Sequence, residues 1–228
     1  MNLSQKLELI QNRIESAKKR GGYGRPVQLI AVTKTRPFSV IEECYKSGIT
    51  EIGENRVQEA EQKFESFEEF PNLTKRFIGH LQSNKVNKCL DLFDTIDSVD
   101  SIKLAKKISG KAAQRGKIIP VLLEVNTSGE SQKNGFSPDN IDDMLSSIVL
   151  ENINVIGLMT VGPLSREEKE TRKAFTSLRK LQTRLNNEIG SERIEELSMG
   201  MSGDFEIGIE EGSTMVRIGT ALLGSREK

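Results

Sequence analysis

One histidine and two cysteines are all this chain offers among the soft metal ligands. The cysteines, Cys44 and Cys89, lie far apart and form no CxxC pair, which argues against a zinc site, and no metal is expected. Two isolated thiols fit a reducing compartment better than a disulfide framework, which makes a cytoplasmic location the expectation. Long apolar runs are also missing. The longest are strand-sized, such as residues 118–125, far short of the roughly 20 residues of a membrane span. The first residues, MNLSQKLELIQNRI, are amphipathic and contain an acid, with no apolar core of a secretory signal. Neither sign of charge is in excess: 33 basic and 33 acidic residues give a net charge of zero. That argues against a nucleic-acid partner bound through a broad basic face and against an acidic disordered tail. No GxGxxG follows the first apolar run, and no P-loop lysine motif is present.

What is present is a regular alternation. The 228 residues suit one α/β barrel and are enough for a substantial core. Eight β-branched runs recur: Val27–Thr33, Glu51–Gly53, Arg76–Gly79, Phe93–Asp97, Ile118–Asn126, Asn154–Thr160, Glu195–Met199 and Met215–Gly219. Amphipathic stretches fill the gaps. Leu3, Leu7, Ile10, Ile14 and Ala17 form one stripe, and Phe175, Leu178, Leu181 and Leu185 another. Ser39, Ser101 and Ser137-Pro138 sit where helix caps are expected, before helices over 40–45, 102–107 and 139–149. Strands alternating with helices imply a parallel sheet, and eight is the number that closes a TIM-type barrel. The sequence therefore predicts an α/β fold, a (β/α)8 barrel with an extra N-terminal helix. That helix packs on the outside or covers one end.

In such a barrel, chemistry gathers where strands end. Lys34 closes the first run on the same face as Ile30 and Val32. It either leaves for solvent or stands as an amine in the barrel mouth, where it can condense with an aldehyde. Arg217 lies inside the apolar run Met215–Gly219, sharing a face with Met215 and Gly219. A guanidinium there needs a partner. The segments Ser198–Asp204 and Gly219-Thr220 are rich in glycine and hydroxyl groups. They read as turns, or as a phosphate cradle in the place where barrels often have one. A helix Phe205–Glu210 follows the first of these. His80 is either structural or functional, and so is Asn55, whose plain explanation is a helix cap before Arg56–Phe64; Lys133 sits on a polar loop that is either solvated or a mobile lid.

Seven stretches in order carry a resemblance: Ala31–Lys34 (AVTK), Gly53–Glu59 (GENRVQE), Phe77–Lys85 (FIGHLQSNK), Val125–Glu130 (VNTSGE), Gly157–Thr160 (GLMT), Leu197–Asp204 (LSMGMSGD) and Val216–Thr220 (VRIGT). Together they resemble the pyridoxal phosphate homeostasis proteins, a family related to the N-terminal barrel domain of alanine racemase. The resemblance runs from the first helix to Gly224. It implies one pyridoxal-phosphate-binding barrel domain over residues 1–228 and pyridoxal 5'-phosphate as cofactor. It makes Lys34 the Schiff-base lysine and Arg217 the arginine facing the pyridine nitrogen. Ser202, Gly219 and Thr220 become the phosphate cradle, and Met199 belongs to the same cofactor-binding stretch. Asn55 and His80 fall near the cofactor, and Lys133 is a loop lysine linked to cofactor exchange. Two departures stand out: the family's tryptophan before the His80 segment is missing, and Leu223 replaces an aromatic before Gly224.

What the resemblance implies is a non-catalytic protein that holds the vitamer and delivers it to apo-enzymes, with other B6 vitamers as further ligands and no catalytic residue; mixed charge on the exposed faces, with no interface stripe, makes a monomer the default. An arginine cannot accept a hydrogen bond from a protonated pyridine nitrogen, so it keeps that nitrogen unprotonated, which weakens the ring as an electron sink. The alternative is a weak amino-acid racemase. Its second base is wanting, because Tyr23 and Tyr45 both precede the second strand, unless His80 or Lys133 serves. The third reading is an unrelated barrel enzyme acting on a phosphorylated metabolite.

Overall fold

The β-branched runs become strands because their side chains are buried on both faces, by helices outside and by other strands within. The computed structural model describes residues 1–64, 70–165 and 167–225. Helix α1 (Leu3–Gly21) precedes β1 (Gln28–Val32), α2 (Phe38–Lys46), β2 (Glu51–Glu54), α3 (Val57–Phe64) and β3 (Thr74–Phe77). A 3-10 turn (Ser83–Lys85) leads into α4 (Val86–Leu92), β4 (Thr95–Val99), α5 (Ile102–Ala113), β5 (Ile119–Glu124) and α6 (Ile141–Ile148). Then come β6 (Ile153–Met159), α7 (Glu168–Ile189), β7 (Glu196–Met201), α8 (Phe205–Glu210), β8 (Met215–Ile218) and α9 (Thr220–Leu223). Each strand pairs in parallel with its sequence neighbours. β8 returns to β1, with Gln28 opposite Met215 and Ile30 opposite Arg217, and the barrel closes. The expected (β/α)8 fold is the one observed.

Alternation along the strands divides the side chains. Ile30, Leu122, Met159 and Met215 meet inside the barrel. Ala31, Val216 and Ile218 point outward and pack with Leu3, Leu7, Ile10, Ile14 and Ala17 of α1. The N-terminal helix therefore lies on the barrel wall, against α8 and α9. Its start is fixed by a capping box between Asn2 and Gln5, and its end by Gly22 at φ 71°. Burial of each large apolar side chain of its stripe contributes roughly 1.5–3 kcal/mol.

Several sequence expectations need correction. Ser101 caps α5 through the Leu104 amide, as expected. Ser39 does not cap; it lies within α2, which begins after Pro37. The helix after Ser137-Pro138 starts only at Ile141, because residues 137–140 are used in a turn closed by the Asn140 amide on the Ser137 carbonyl. The third strand runs earlier than expected and the fourth later. Phe93 looks like strand sequence, but it ends α4 and packs its ring against Phe64 and Phe77. Cys44 and Cys89 are free and buried, and burial pushes the Cys44 thiol up to about 12.

The strand shift places a charged cluster inside the barrel. Arg76 donates from Nε to Glu51 Oε2 at 2.6 Å and from Nη1 to both Asp97 oxygens at 3.2 Å. Thr95 Oγ1 donates to Asp97 at 2.8 Å. Glu51 and Thr95 are the first residues of β2 and β4, so the cluster sits towards the amino ends of these strands, away from the mouth.

Candidate functional site

β1 aims Lys34. Ile30 points into the barrel, and Val32 and Lys34 follow at the strand period. The strand stops at Val32, so Lys34 stands half-buried in a turn closed by the Arg36 amide on the Thr33 carbonyl at 3.0 Å. It lines a hollow of about 30 Å³ with Val32, Gly219 and Thr220. A side chain at Gly219 would bring its Cβ 3.6 Å from Val32, into this hollow. Ser202 joins from the loop after β7. Its Oγ accepts from the Gly219 and Ala221 amides, each at 3.2 Å.

Arg217 lies beneath them on the inward face of β8, and only 4% of its surface is exposed. Nη1 donates to the Ser198 carbonyl at 2.8 Å and its hydroxyl at 2.6 Å, and Nη2 donates to the Thr160 carbonyl at 2.7 Å. These partners are neutral. Burial pushes the guanidinium below its ordinary value, against the pull of Asp97, Glu124 and Asp204. A buried cation held by carbonyls rather than a carboxylate keeps its charge available to something that can only accept.

Asn55 and His80 come together on the neighbouring side of the mouth. They line a cleft of about 570 Å³ that also holds Arg56, Gln82 and Lys85. Gly79 makes the approach possible, since a Cβ there would stand 2.3 Å from the Asn55 carbonyl. Asn55 is not the helix cap. α3 begins at Val57, and the Arg56 carbonyl takes the first bond, from Ala60. His80 is half-exposed, with Nδ1 3.0 Å from Asp100. Lys133 lines a third hollow, of about 220 Å³, with Glu124, Asn126 and Thr160. Its ammonium is pinned: it donates to Ser128 Oγ at 3.0 Å and the Gly162 carbonyl at 2.7 Å, and it pairs with Glu130. Met199 is not brought to the mouth. Its side chain is fully buried in the core between sheet and helices. Among the described residues no group of three or more His, Cys, Asp or Glu is placed to hold a metal ion, and no helix is long and apolar enough to cross a membrane.

Two carboxyls at the mouth are perturbed. Glu124, which ends β5, is held above its ordinary value by burial and then by Asp100, with Arg217 and His80 opposing. A carboxyl raised in the folded state contributes stability that is fully present below the ordinary value of 4.5 and lost as pH rises through the folded value. Glu124→Gln should therefore flatten the decline of unfolding free energy with pH above that point, measured by denaturant titration at a series of pH values. An unchanged slope would show that Glu124 does not carry this dependence.

Glu54 is the second, and sequence reading passed over it. It is fully buried at the end of β2, and burial holds its carboxyl up. Oε1 accepts from Thr33 Oγ1 at 2.7 Å and Lys63 Nζ at 2.8 Å, while Oε2 has no hydrogen-bond partner. The available signal was the spacing of Glu59 and Lys63, one helical turn apart on α3.

Residues 6–227 match the family model described as alanine racemase, N-terminal domain. A protein of Aquifex aeolicus named pyridoxal phosphate homeostasis protein is 40% identical over the whole of both chains. A Vibrio cholerae protein of the same name is 39% identical, covering 99% of this chain and 97% of its own. Among solved structures, PipY of Synechococcus elongatus with PLP bound superposes with a TM-score of 0.86 at 34% identity, covering 98% of this chain and all of that one.

Proposed function

This chain belongs to the alanine racemase N-terminal domain family and, within it, to the pyridoxal phosphate homeostasis proteins, and on that premise we propose that it binds pyridoxal 5'-phosphate in the barrel mouth, with Lys34 as the residue that takes the aldehyde. The observation that carries this reading is the meeting of three groups on the adjacent strands β1 and β8. They are the Lys34 amine, the buried Arg217 guanidinium without a carboxylate partner, and the small hollow bounded by Gly219 and Thr220 beside Ser202. When bound, the cofactor supplies an aldehyde with which an amine condenses, releasing water, and a pyridine ring that can withdraw electrons. Arg217 is a donor only, so a ring nitrogen facing it stays unprotonated. Ser202, Gly219 and Thr220 would hold the phosphate, and Asn55 and His80 would border the cofactor from the second strand–loop pair. Such a site retains the cofactor while weakening it as an electron sink. This favours a non-catalytic role: a cytoplasmic monomer that holds the vitamer, accepts other B6 vitamers and passes the cofactor to apo-enzymes.

The test is to add pyridoxal 5'-phosphate, record the visible spectrum, reduce with borohydride and map the labelled peptide. The expected result is one label, on Lys34. Label scattered over surface lysines would overturn the reading and favour a phosphorylated metabolite as the ligand. Arg217→Ala should weaken cofactor retention by roughly ten- to a hundredfold, the worth of a hydrogen bond to a charged group, and shift the spectrum. Amino-acid α-proton exchange with solvent should stay at the level of free cofactor. Exchange well above it would establish the racemase alternative.

A further inference from the structure

We infer that Glu54, Glu59 and Lys63 form a positioning clamp that fixes both peptide groups flanking Lys34 and so aims its amine into the mouth. The inference rests on the reading of Lys34 as the cofactor-binding lysine. β1 sets the parity that leads to Lys34 but ends two residues earlier, so its ladder does not hold that residue in place. The next residue, Thr35, has φ 62°, a conformation that a β-branched residue adopts at a cost of about 1–3 kcal/mol. Something must hold this turn.

The holding groups come from the end of β2 and from α3. The peptide before Lys34 is held by its oxygen: the Thr33 carbonyl accepts from Lys63 Nζ at 3.0 Å. The peptide after Lys34 is held by its hydrogen: the Thr35 amide donates to Glu59 Oε1. Thr33 Oγ1 is bound in turn by Glu54, and the Thr33 amide by the Gly53 carbonyl at 3.1 Å. Lys63 spends its three N–H donors on the Thr33 carbonyl, Glu54 Oε1 at 2.8 Å and Glu59 Oε1 at 2.7 Å. It is therefore locked as a brace and does not compete for the aldehyde. A fully buried carboxylate with one oxygen unpaired is costly to a fold. Here that cost accompanies a local strain beside the reacting lysine, the place where such costs are tolerated.

The experiment compares Glu59→Ala with Glu59→Gln, which keeps an acceptor oxygen. Two ligands are used: pyridoxal 5'-phosphate, and pyridoxine 5'-phosphate, which has the same ring and phosphate but no aldehyde. In Glu59→Ala, affinity for pyridoxal 5'-phosphate should fall about tenfold, the worth of one charge-assisted hydrogen bond. Affinity for pyridoxine 5'-phosphate should hold within about twofold, because only the covalent bond depends on aim. Glu59→Gln should restore most of the loss. Hydrogen exchange at the Thr35 amide, without ligand, should be at least about tenfold faster in Glu59→Ala than in the parent chain. Equal losses for both ligands, or no loss for either, would overturn the clamp. If the parent chain binds neither ligand, the cofactor reading has failed, and unchanged Thr35 exchange would then sink the clamp on its own terms. Glu59 is 22% exposed, so its replacement leaves the core intact. Lys63→Met is the harsher second variant, expected to show the same split between ligands.

Discussion

The Lys34→Ala protein should keep its barrel and lose the covalent adduct with pyridoxal 5'-phosphate altogether. Lys34 lies beyond the last residue of β1 and is half-buried, so truncation removes no core volume. Its effect on stability should stay within about 1 kcal/mol, as for surface positions away from caps and cavities. The two other part-buried lysines near these loops, Lys63 and Lys133, are already committed. Lys63 is braced by three acceptors, and Lys133 is pinned by Ser128, Gly162 and Glu130. Noncovalent binding should persist more weakly through Arg217 and the Ser202–Gly219–Thr220 hollow. Absorbance of the bound cofactor, borohydride labelling with peptide mapping, and a thermal melt check the three parts together. A variant that still traps label at the native level would remove Lys34 from its assigned role, whatever its stability.

The parity that singles out Lys34 and Arg217 is legible because a buried parallel strand has an unambiguous period of two. Ile30 and Met215 meet inside the barrel, and Arg217 follows Met215 at the strand period. The same logic shows why Met199 misled. It was carried with its matched stretch, yet it shares the outward parity of Leu197, and Gly200 at φ 98° then breaks the alternation before Ser202. Strand ends were less legible than strands. Ile78 prolongs the apolar character of β3 past Phe77, and Phe93 mimics the start of β4 while finishing α4. Least legible were the charged clusters. Glu54, Glu59 and Lys63, or Glu51, Arg76 and Asp97, look like solvated residues in any short window. They become partners only when β1, β2, α3, β3 and β4 are wrapped into one wall.

Of these clusters, Glu51–Arg76–Asp97 should carry the largest single effect on stability. Arg76 is 5% exposed and is the hydrogen-bond partner of two buried carboxylates, Glu51 and Asp97. Arg76→Ala removes the cation and leaves both acids inside. Breaking a buried pair in this way costs about 3–5 kcal/mol, far more than the intact pair contributes over apolar residues of the same volume. For a chain of this size that is a fall in melting temperature of roughly 10 °C. The charge balance of the interior sharpens the expectation. Arg76 and Arg217 face Glu51, Asp97 and Glu124, and Glu124 is the acid that burial holds towards its neutral form. Without Arg76, Glu51 loses its guanidinium and Asp97 is left with Arg217, which Glu124 and Asp204 also draw on. The triple variant Glu51→Gln, Arg76→Met, Asp97→Asn should recover part of the loss, because no unpaired charge remains. Denaturant titration decides it: a loss below about 1 kcal/mol would mean that water already screens this cluster inside the barrel.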